Sequence, residues 1–176
     1  MIYVILGVGS NRSWQGNDSI KLLKKACDAL SSVLSEFTCS SVYLTKPMYV
    51  KNQEDFYNMA VSGYVSDSVL PDELLFKINQ IEQFLGRNRS KEIRNGPRSI
   101  DIDIEIFGNQ KINTKNLTIP HPRIQERAFV LIPMVEILGE SADSIERGVF
   151  LRYLEKLDCS GVKKILSAED FIKGKL

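Results

Sequence analysis

Residues 100 to 106 read Ile-Asp-Ile-Asp-Ile-Glu-Ile, a strict alternation of branched apolar and acidic side chains. A period of two means an extended strand, because successive strand side chains leave opposite faces. Ile100, Ile102, Ile104 and Ile106 must then lie on a core, and Asp101, Asp103 and Glu105 on the other face. Asp101 and Asp103 stand ~6.6 Å apart at ~3.3 Å per residue, a spacing at which two carboxylates can share hard cations. An isolated D-x-D is ordinarily just the solvated face of an antiparallel strand. Here the preceding loop carries Arg87, Arg89, Lys91, Arg94 and Arg98 against one acid, Glu92. Magnesium takes one or two carboxylates plus phosphate oxygens, and arginine forks onto the same phosphates. Five cations leading into two carboxylates read as opposite halves of a nucleotide–metal site.

The remaining pattern supplies a scaffold for that strand. Ile2 to Val8 is a buried strand ending in the turn Gly9-Ser10-Asn11. Ile20, Leu23, Cys27, Leu30, Leu34 and Phe37 recur at steps of three and four, which predicts an amphipathic helix capped by Asn17 or Asp18. Residues 38 to 50 and 56 to 65 are β-prone. Pro71, with Asp72 and Glu73 in the first turn, opens a second helix that stops at Gly86. A short strand follows near Lys111, and residues 123 to 137 and 150 to 157 read as helical. The order β-α-β-β-α-β, with extra C-terminal helices, is an α+β, ferredoxin-like arrangement: an antiparallel sheet with two helices on one face. Residues 1 to 176 are expected to form a single domain.

Composition removes several classes of function. Across 176 residues, 43% are hydrophobic and the formal charge is +1, so the molecule as a whole has no electrostatic reason to coat nucleic acid or an acidic membrane. Cys27, Cys39 and Cys159 are odd in number and widely spaced, which argues against a disulfide framework or a thiolate zinc site and favours the cytoplasm. No apolar stretch reaches the ~20 residues of a membrane span. Gly7-Val8-Gly9 hints at a dinucleotide fold, but Arg12 stands where a glycine is required. His121 is the chain's one histidine and is followed by Pro122, which extends its backbone. Arg123 and Arg127, four apart, are expected to share a helical face.

These segments resemble the 6-hydroxymethyl-7,8-dihydropterin pyrophosphokinase family of folate biosynthesis. The resemblance rests on Arg94-Asn95-Gly96-Pro97-Arg98-Ser99-Ile100-Asp101-Ile102-Asp103-Ile104. It is supported by Gly9-Ser10-Asn11, Thr45 and Pro47 in TKPM, Phe56-Tyr57-Asn58-Met59-Ala60-Val61, Glu82 with Gly86-Arg87, His121-Pro122-Arg123 and Glu126-Arg127-Ala128-Phe129.

What the resemblance implies is transfer of the β,γ-diphosphate of ATP to the hydroxymethyl group of a reduced pterin, with release of AMP. By the same resemblance Asp101 and Asp103 hold two Mg²⁺ ions, and Arg87, Arg89 and Arg98 serve catalysis beside them. Arg89, Arg94, Arg98, His121 and Arg127 contact the ATP phosphates, with Asn79, Glu82, Ile104 and Thr118 around the nucleoside. Phe56 and Phe129 sandwich the pterin, while Thr45, Pro47, Met48 and Asn58 read its edge. ATP and the pterin are the implied partners, with no nucleic acid and no membrane, and a monomer is expected.

Three departures from the family pattern stand out. Asn95 occupies a position where some members carry tryptophan, Asn116 one where some carry a basic residue, and Glu105 one where an apolar residue is expected. An RNA-recognition module shares the element order but displays aromatics where this strand offers acids. A metal-dependent phosphohydrolase using the same acids would release ADP or phosphate. The basic loop, Gly-bounded and poor in apolar residues, is expected to be loose until nucleotide arrives.

Overall fold

A computed structural model describes residues 1–50, 52–93, 95–139 and 145–175. The elements run β1 (Ile2–Ser10), α1 (Ser19–Ser31), β2 (Ser35–Cys39), β3 (Val42–Thr45), β4 (Phe56–Val65), α2 (Pro71–Phe84) and β5 (Asp101–Phe107). A small hairpin, β6 (Ile112–Asn113) and β7 (Thr118–Ile119), follows, then a 3-10 turn at Ile124–Glu126, α3 (Ala128–Leu138), α4 (Ile145–Leu154), β8 (Val162–Leu166) and α5 (Ala168–Ile172). The main sheet has the order β5-β1-β4-β3-β8, with β2 also pairing β4, and every pairing is antiparallel.

Several sequence boundaries shift for identifiable reasons. Asp18 caps α1 by accepting the Lys21 N–H at 2.8 Å. The periodic pattern overruns the helix: α1 ends at Ser31, Leu34 is buried in the turn beyond it, and Phe37 belongs to β2. The single strand expected over 38 to 50 is two, β2 and β3, each pairing β4. Helix α3 runs through Pro133, α4 starts five residues earlier than residue 150, and β8 with α5 was not foreseen. Exposed Lys163 and Lys164 leave β8 without an apolar alternation, so nothing in its sequence announces an edge strand.

Helices cover both faces of the sheet, not one. Leu22, Leu23, Ala26 and Leu30 of α1 and Leu74 and Ile78 of α2 pack on Val4, Leu6, Val8, Ile102 and Ile104. On the other face Val130, Leu131 and Met134 of α3 and Phe150 of α4 cover Ile5, Ala60 and Ile106. Leu22 is fully buried in the larger cluster. Leu22→Ala is expected to cost about 3 kcal/mol, read as a lower urea midpoint at unchanged slope.

Glu136 ties the second layer together. Its carboxylate accepts the Ser41 N–H (3.0 Å) and the hydroxyls of Ser41 (2.6 Å) and Tyr43 (2.8 Å), and it pairs with Lys164 Nζ at 2.9 Å, joining α3 to β3 and β8. Burial alone would raise this carboxyl, but those hydrogen bonds hold it below its ordinary value.

Candidate active site

Beyond the N-terminal end of α3 the sheet face is open, and a cavity of about 440 Å³ lies over it. Its floor is backbone at Gly7 and Gly9 of β1, which neighbour Asp103 and Asp101 on β5 and Ala60 and Asn58 on β4. A side chain on Gly9 would meet Asn58 Oδ1 at 2.9 Å, so the floor stays flat because β1 has no Cβ there.

The acids and the basic loop meet over this floor. Asp101 receives Arg87 Nη1 at 3.0 Å and Arg98 Nη1 at 2.6 Å, one guanidinium on each carboxylate oxygen. Arg127 approaches Asp103 at 3.6 Å. The Asp103 side chain keeps 39% of its surface, turned to the cavity. The protein packed around the cavity floor desolvates this carboxyl despite its open side, and with the neighbouring Asp101 charge it pushes the carboxyl up to about 7, against the pull of Arg127 and Arg98.

The loop from Gly86 to Ser99 has anchors that its composition does not advertise. Glu92 pairs with Arg12 at 2.7 Å and with Arg87 at 2.8 Å. Asn11 accepts the Arg98 N–H at 2.9 Å and donates to Gln53 Oε1 at 3.1 Å, while Gln53 donates to the Asn95 carbonyl at 3.0 Å. These contacts tie the loop to the end of β1 and to the segment before β4. Arg12, Gln53 and Glu92 carried no functional signal in the sequence, because they act by joining segments far apart in the chain.

Three aromatic rings, Tyr49, Phe56 and Phe129, border the cavity. Phe56 lies under the Arg98 guanidinium at 5.3 Å and Phe129 under that of Arg127 at 5.7 Å. Thr45, Met48 and Asn58 join them, and Asn58 Nδ2 donates to Thr45 Oγ1 at 2.7 Å, leaving Oδ1 over Gly9. His121 also lines the cavity; its Nδ1 accepts the Arg123 N–H at 3.2 Å. Burial and the Arg127 charge lower this imidazole to about 4, so near neutral pH it is uncharged, with its proton on Nε2 as a donor. Arg123 and Arg127 do not share a helical face: they flank the 3-10 turn, and Arg123 stacks on Tyr49 at 4.2 Å.

Other expected site residues lie elsewhere. Glu82 is buried, accepting the Ile102 N–H at 2.8 Å and Arg89 Nη2 at 2.5 Å, so it closes the outer edge of β5 and holds Arg89. Ile104 packs in the core on the face away from the aspartates. Asn79 is exposed on α2, Thr118 is in the β6–β7 hairpin, and neither they nor Pro47 line the cavity. Arg94 lies outside the described residues.

Glu105 differs most from expectation. Strand pairing jumps from Leu6–Ile104 to Ile5–Ile106, so Glu105 is the extra residue of a β-bulge. The bulge flips the alternation: Ile106 leaves the face of Ile100, Ile102 and Ile104 and joins Ile5 under α3. Glu105 is fully buried. Burial, then the Asp103 charge, holds its carboxyl well above the ordinary range.

Among the described residues no group of three or more His, Cys, Asp or Glu side chains forms a metal cage. Two adjacent carboxylates, one resisting ionisation beside the other, fit a cation whose remaining ligands are phosphate oxygens and water, which is how Mg²⁺ is held in nucleotide sites. The sequence model of 7,8-dihydro-6-hydroxymethylpterin-pyrophosphokinase (HPPK) matches residues 5–139. The chain belongs to this family.

HPPK relatives support the assignment. Proteins named 2-amino-4-hydroxy-6-hydroxymethyldihydropteridine pyrophosphokinase are 44% identical over 116 residues in Bacillus subtilis (62% of this chain, 67% of that protein) and 38% identical over 137 residues in Aquifex aeolicus (78% and 81%). A Pneumocystis carinii folic acid synthesis protein is 38% identical over 164 residues, 93% of this chain and only 21% of that longer protein. Among solved structures, a Plasmodium falciparum HPPK-DHPS shares the fold with a TM-score of 0.65 at 16% identity, over 88% of this chain and 46% of that one.

Proposed function

We propose that the chain acts as a 2-amino-4-hydroxy-6-hydroxymethyldihydropteridine diphosphokinase, moving the β,γ-diphosphate of ATP to the hydroxymethyl oxygen of 6-hydroxymethyl-7,8-dihydropterin. The new bond joins that oxygen to Pβ, the Pα–O–Pβ bridge breaks, the hydroxyl loses its proton and AMP leaves. The observation that carries this reading is the convergence in one cavity of Asp101 and Asp103, the guanidiniums of Arg87, Arg98 and Arg127, and the rings of Phe56 and Phe129.

Asp101 and Asp103 would hold two Mg²⁺ ions. Held by these two carboxylates, such ions would supply charge compensation for the polyphosphate and Lewis acidity toward the acceptor hydroxyl. Diphosphoryl transfer asks the protein mainly for alignment and charge compensation. Arg87, Arg89, Arg98 and Arg127 supply fixed forks for phosphate oxygens, and His121 supplies a neutral N–H. Arg94 is assigned to the same phosphates by family likeness. Phe56 and Phe129 grip the flat faces of the pterin; Asn58, Thr45, Pro47 and Met48 border its polar edge. For the nucleoside, Asn79, Ile104 and Thr118 can contribute only by backbone contact or from outside the present cavity, while Glu82 acts through Arg89.

The scaffold reads as a ferredoxin-like core, β5-β1-β4-β3, extended by β8, with residues 1 to 176 forming a single domain; pairing of β8 with β3 supports this. The sheet face that an RNA-recognition module would use lies under α3 and α4 here, which favours small-molecule substrates over nucleic acid. The described helices include none long and apolar enough to cross a membrane. The free thiols of Cys27, Cys39 and Cys159 favour a reducing cytoplasm, and a monomer suffices because one chain carries every group invoked.

The deciding experiment is product identity. ATP, the hydroxymethyl dihydropterin and Mg²⁺ should yield AMP in step with the pterin diphosphate; ADP or phosphate instead would point to a hydrolase and overturn the reading. A pH dependence follows from Asp103. Proton and cation compete for a carboxyl that titrates at about 7, so the Mg²⁺ concentration for half-maximal rate should rise about tenfold per pH unit below about 7. Without metal the sign for stability is opposite: the folded protein holds this proton more tightly than the unfolded chain, so the contribution of Asp103 to stability falls as pH rises from 3.8 to about 7.

A further inference from the structure

Glu105 is a buried acid that the mechanism above does not use. Its side chain has no exposed surface, and neither Oε1 nor Oε2 has a hydrogen-bond partner among the described residues. It borders the same cavity as Asp103 and Phe129, at the inner end of the floor over Gly7. A Cβ on Gly7 would stand 3.0 Å from Glu105 Oε1, so the missing side chain at Gly7 is what gives the carboxyl its place. The bulge holds it there, since the Glu105 carbonyl accepts the His121 N–H at 3.1 Å while its side chain turns over β1.

An unpartnered buried polar group lowers stability, and a methionine or leucine of similar size would fill this space without that loss. Protein groups do not meet the need: Arg127 is turned to Asp103 and Phe129, and Asn58 is bonded to Thr45. On the pterin reading, the group that would enter this end of the cavity is the heterocycle gripped between Phe56 and Phe129, whose rim carries ring N–H and C=O groups. We propose that Glu105 is a specificity-determining residue of the acceptor site, hydrogen-bonding a polar rim atom of the reduced pterin, with Gly7 as its required neighbour. This rests on the pterin reading of the cavity.

The test compares wild type, Glu105→Met and Glu105→Gln by titration with the hydroxymethyl dihydropterin in the presence of a non-hydrolysable ATP analogue and Mg²⁺, and with the analogue alone. Glu105→Met should weaken pterin binding about 10- to 100-fold, as expected for one lost buried hydrogen bond and the unpaired rim atom it leaves. Analogue affinity should stay within about threefold. Glu105→Gln should recover most of the loss, and Glu105→Met should unfold at a higher denaturant concentration than wild type. Gly7→Ala should also weaken pterin binding by crowding the carboxyl. Undiminished pterin affinity in Glu105→Met overturns the inference. Should that variant fail to fold, a wild-type crystal of the ternary complex decides: Glu105 within hydrogen-bond distance of the ring upholds it, and Glu105 still unpartnered overturns it. Failure of wild type to make AMP would sink the parent reading instead, so the two failures are distinguishable.

Discussion

Replacing Asp101 or Asp103 by alanine is expected to lower the rate of AMP formation by about 10³-fold each, because charge compensation and alignment are lost together. The structure makes the two losses unequal in kind. Asp101 is gripped by Arg87 and Arg98, so its removal leaves Arg98 without its anion and Arg87 with Glu92 alone, loosening the pair. Nucleotide affinity should then change little or even rise, while kcat collapses. Among the described residues Asp103 pairs only with Arg127, at the longer distance, and its side chain faces the cavity. Its removal should mainly raise the Mg²⁺ requirement as kcat falls. Asparagine at either position keeps the shape but is a poorer ligand for a hard cation, and should recover less than about a tenth of the rate. The check is AMP by chromatography across a Mg²⁺ series, with folding verified by thermal melts. Retention of most activity in both variants would mean that the reacting centre lies elsewhere.

Arg98→Ala is expected to cost about 10² to 10³ in kcat/KM, and Arg98→Lys to recover only a small part, since lysine has no planar fork. Three links meet at this residue. Its guanidinium holds Asp101 at 2.6 Å, lies 5.3 Å from the Phe56 ring, and its backbone is fixed by the Asn11 side chain at 2.9 Å. An effect confined to kcat would mean that Arg98 serves phosphate alone. The geometry calls for a rise in the pterin KM as well, because the guanidinium also backs an aromatic wall of the acceptor slot. Steady-state kinetics with each substrate varied in turn separates the two.

The residues that announced the site were those whose chemistry is local. Arg87, Arg98, Asp101 and Asp103 lie within one loop and the strand after it, so proximity in sequence stood in for proximity in space. Alternation placed the aspartates on one face correctly, yet it mispredicted Ile106 and the environment of Glu105, because one extra residue in β5 is invisible to a pattern that counts only polarity. The contacts that Arg12, Asn11 and Gln53 make to the basic loop were not legible, because these residues sit 80 or so residues upstream or beside another strand and reach it only in the folded chain. Family likeness reached residues such as Ile104, Asn79 and Thr118, whose side chains do not border the cavity as it stands. The C-terminal strand escaped altogether, since its lysines conceal it among surface sequence.

That late strand matters more to the reaction than its distance suggests. Lys164 and the hydroxyls of Ser41 and Tyr43 clasp Glu136 near the tail of α3, and the head of the same helix presents Phe129 beside Arg127. The rod that carries one jaw of the substrate vice is therefore bolted down at its opposite end by residues from the last part of the polypeptide. A cut or a destabilising change after residue 160 would leave every catalytic group intact and still let the jaw sag.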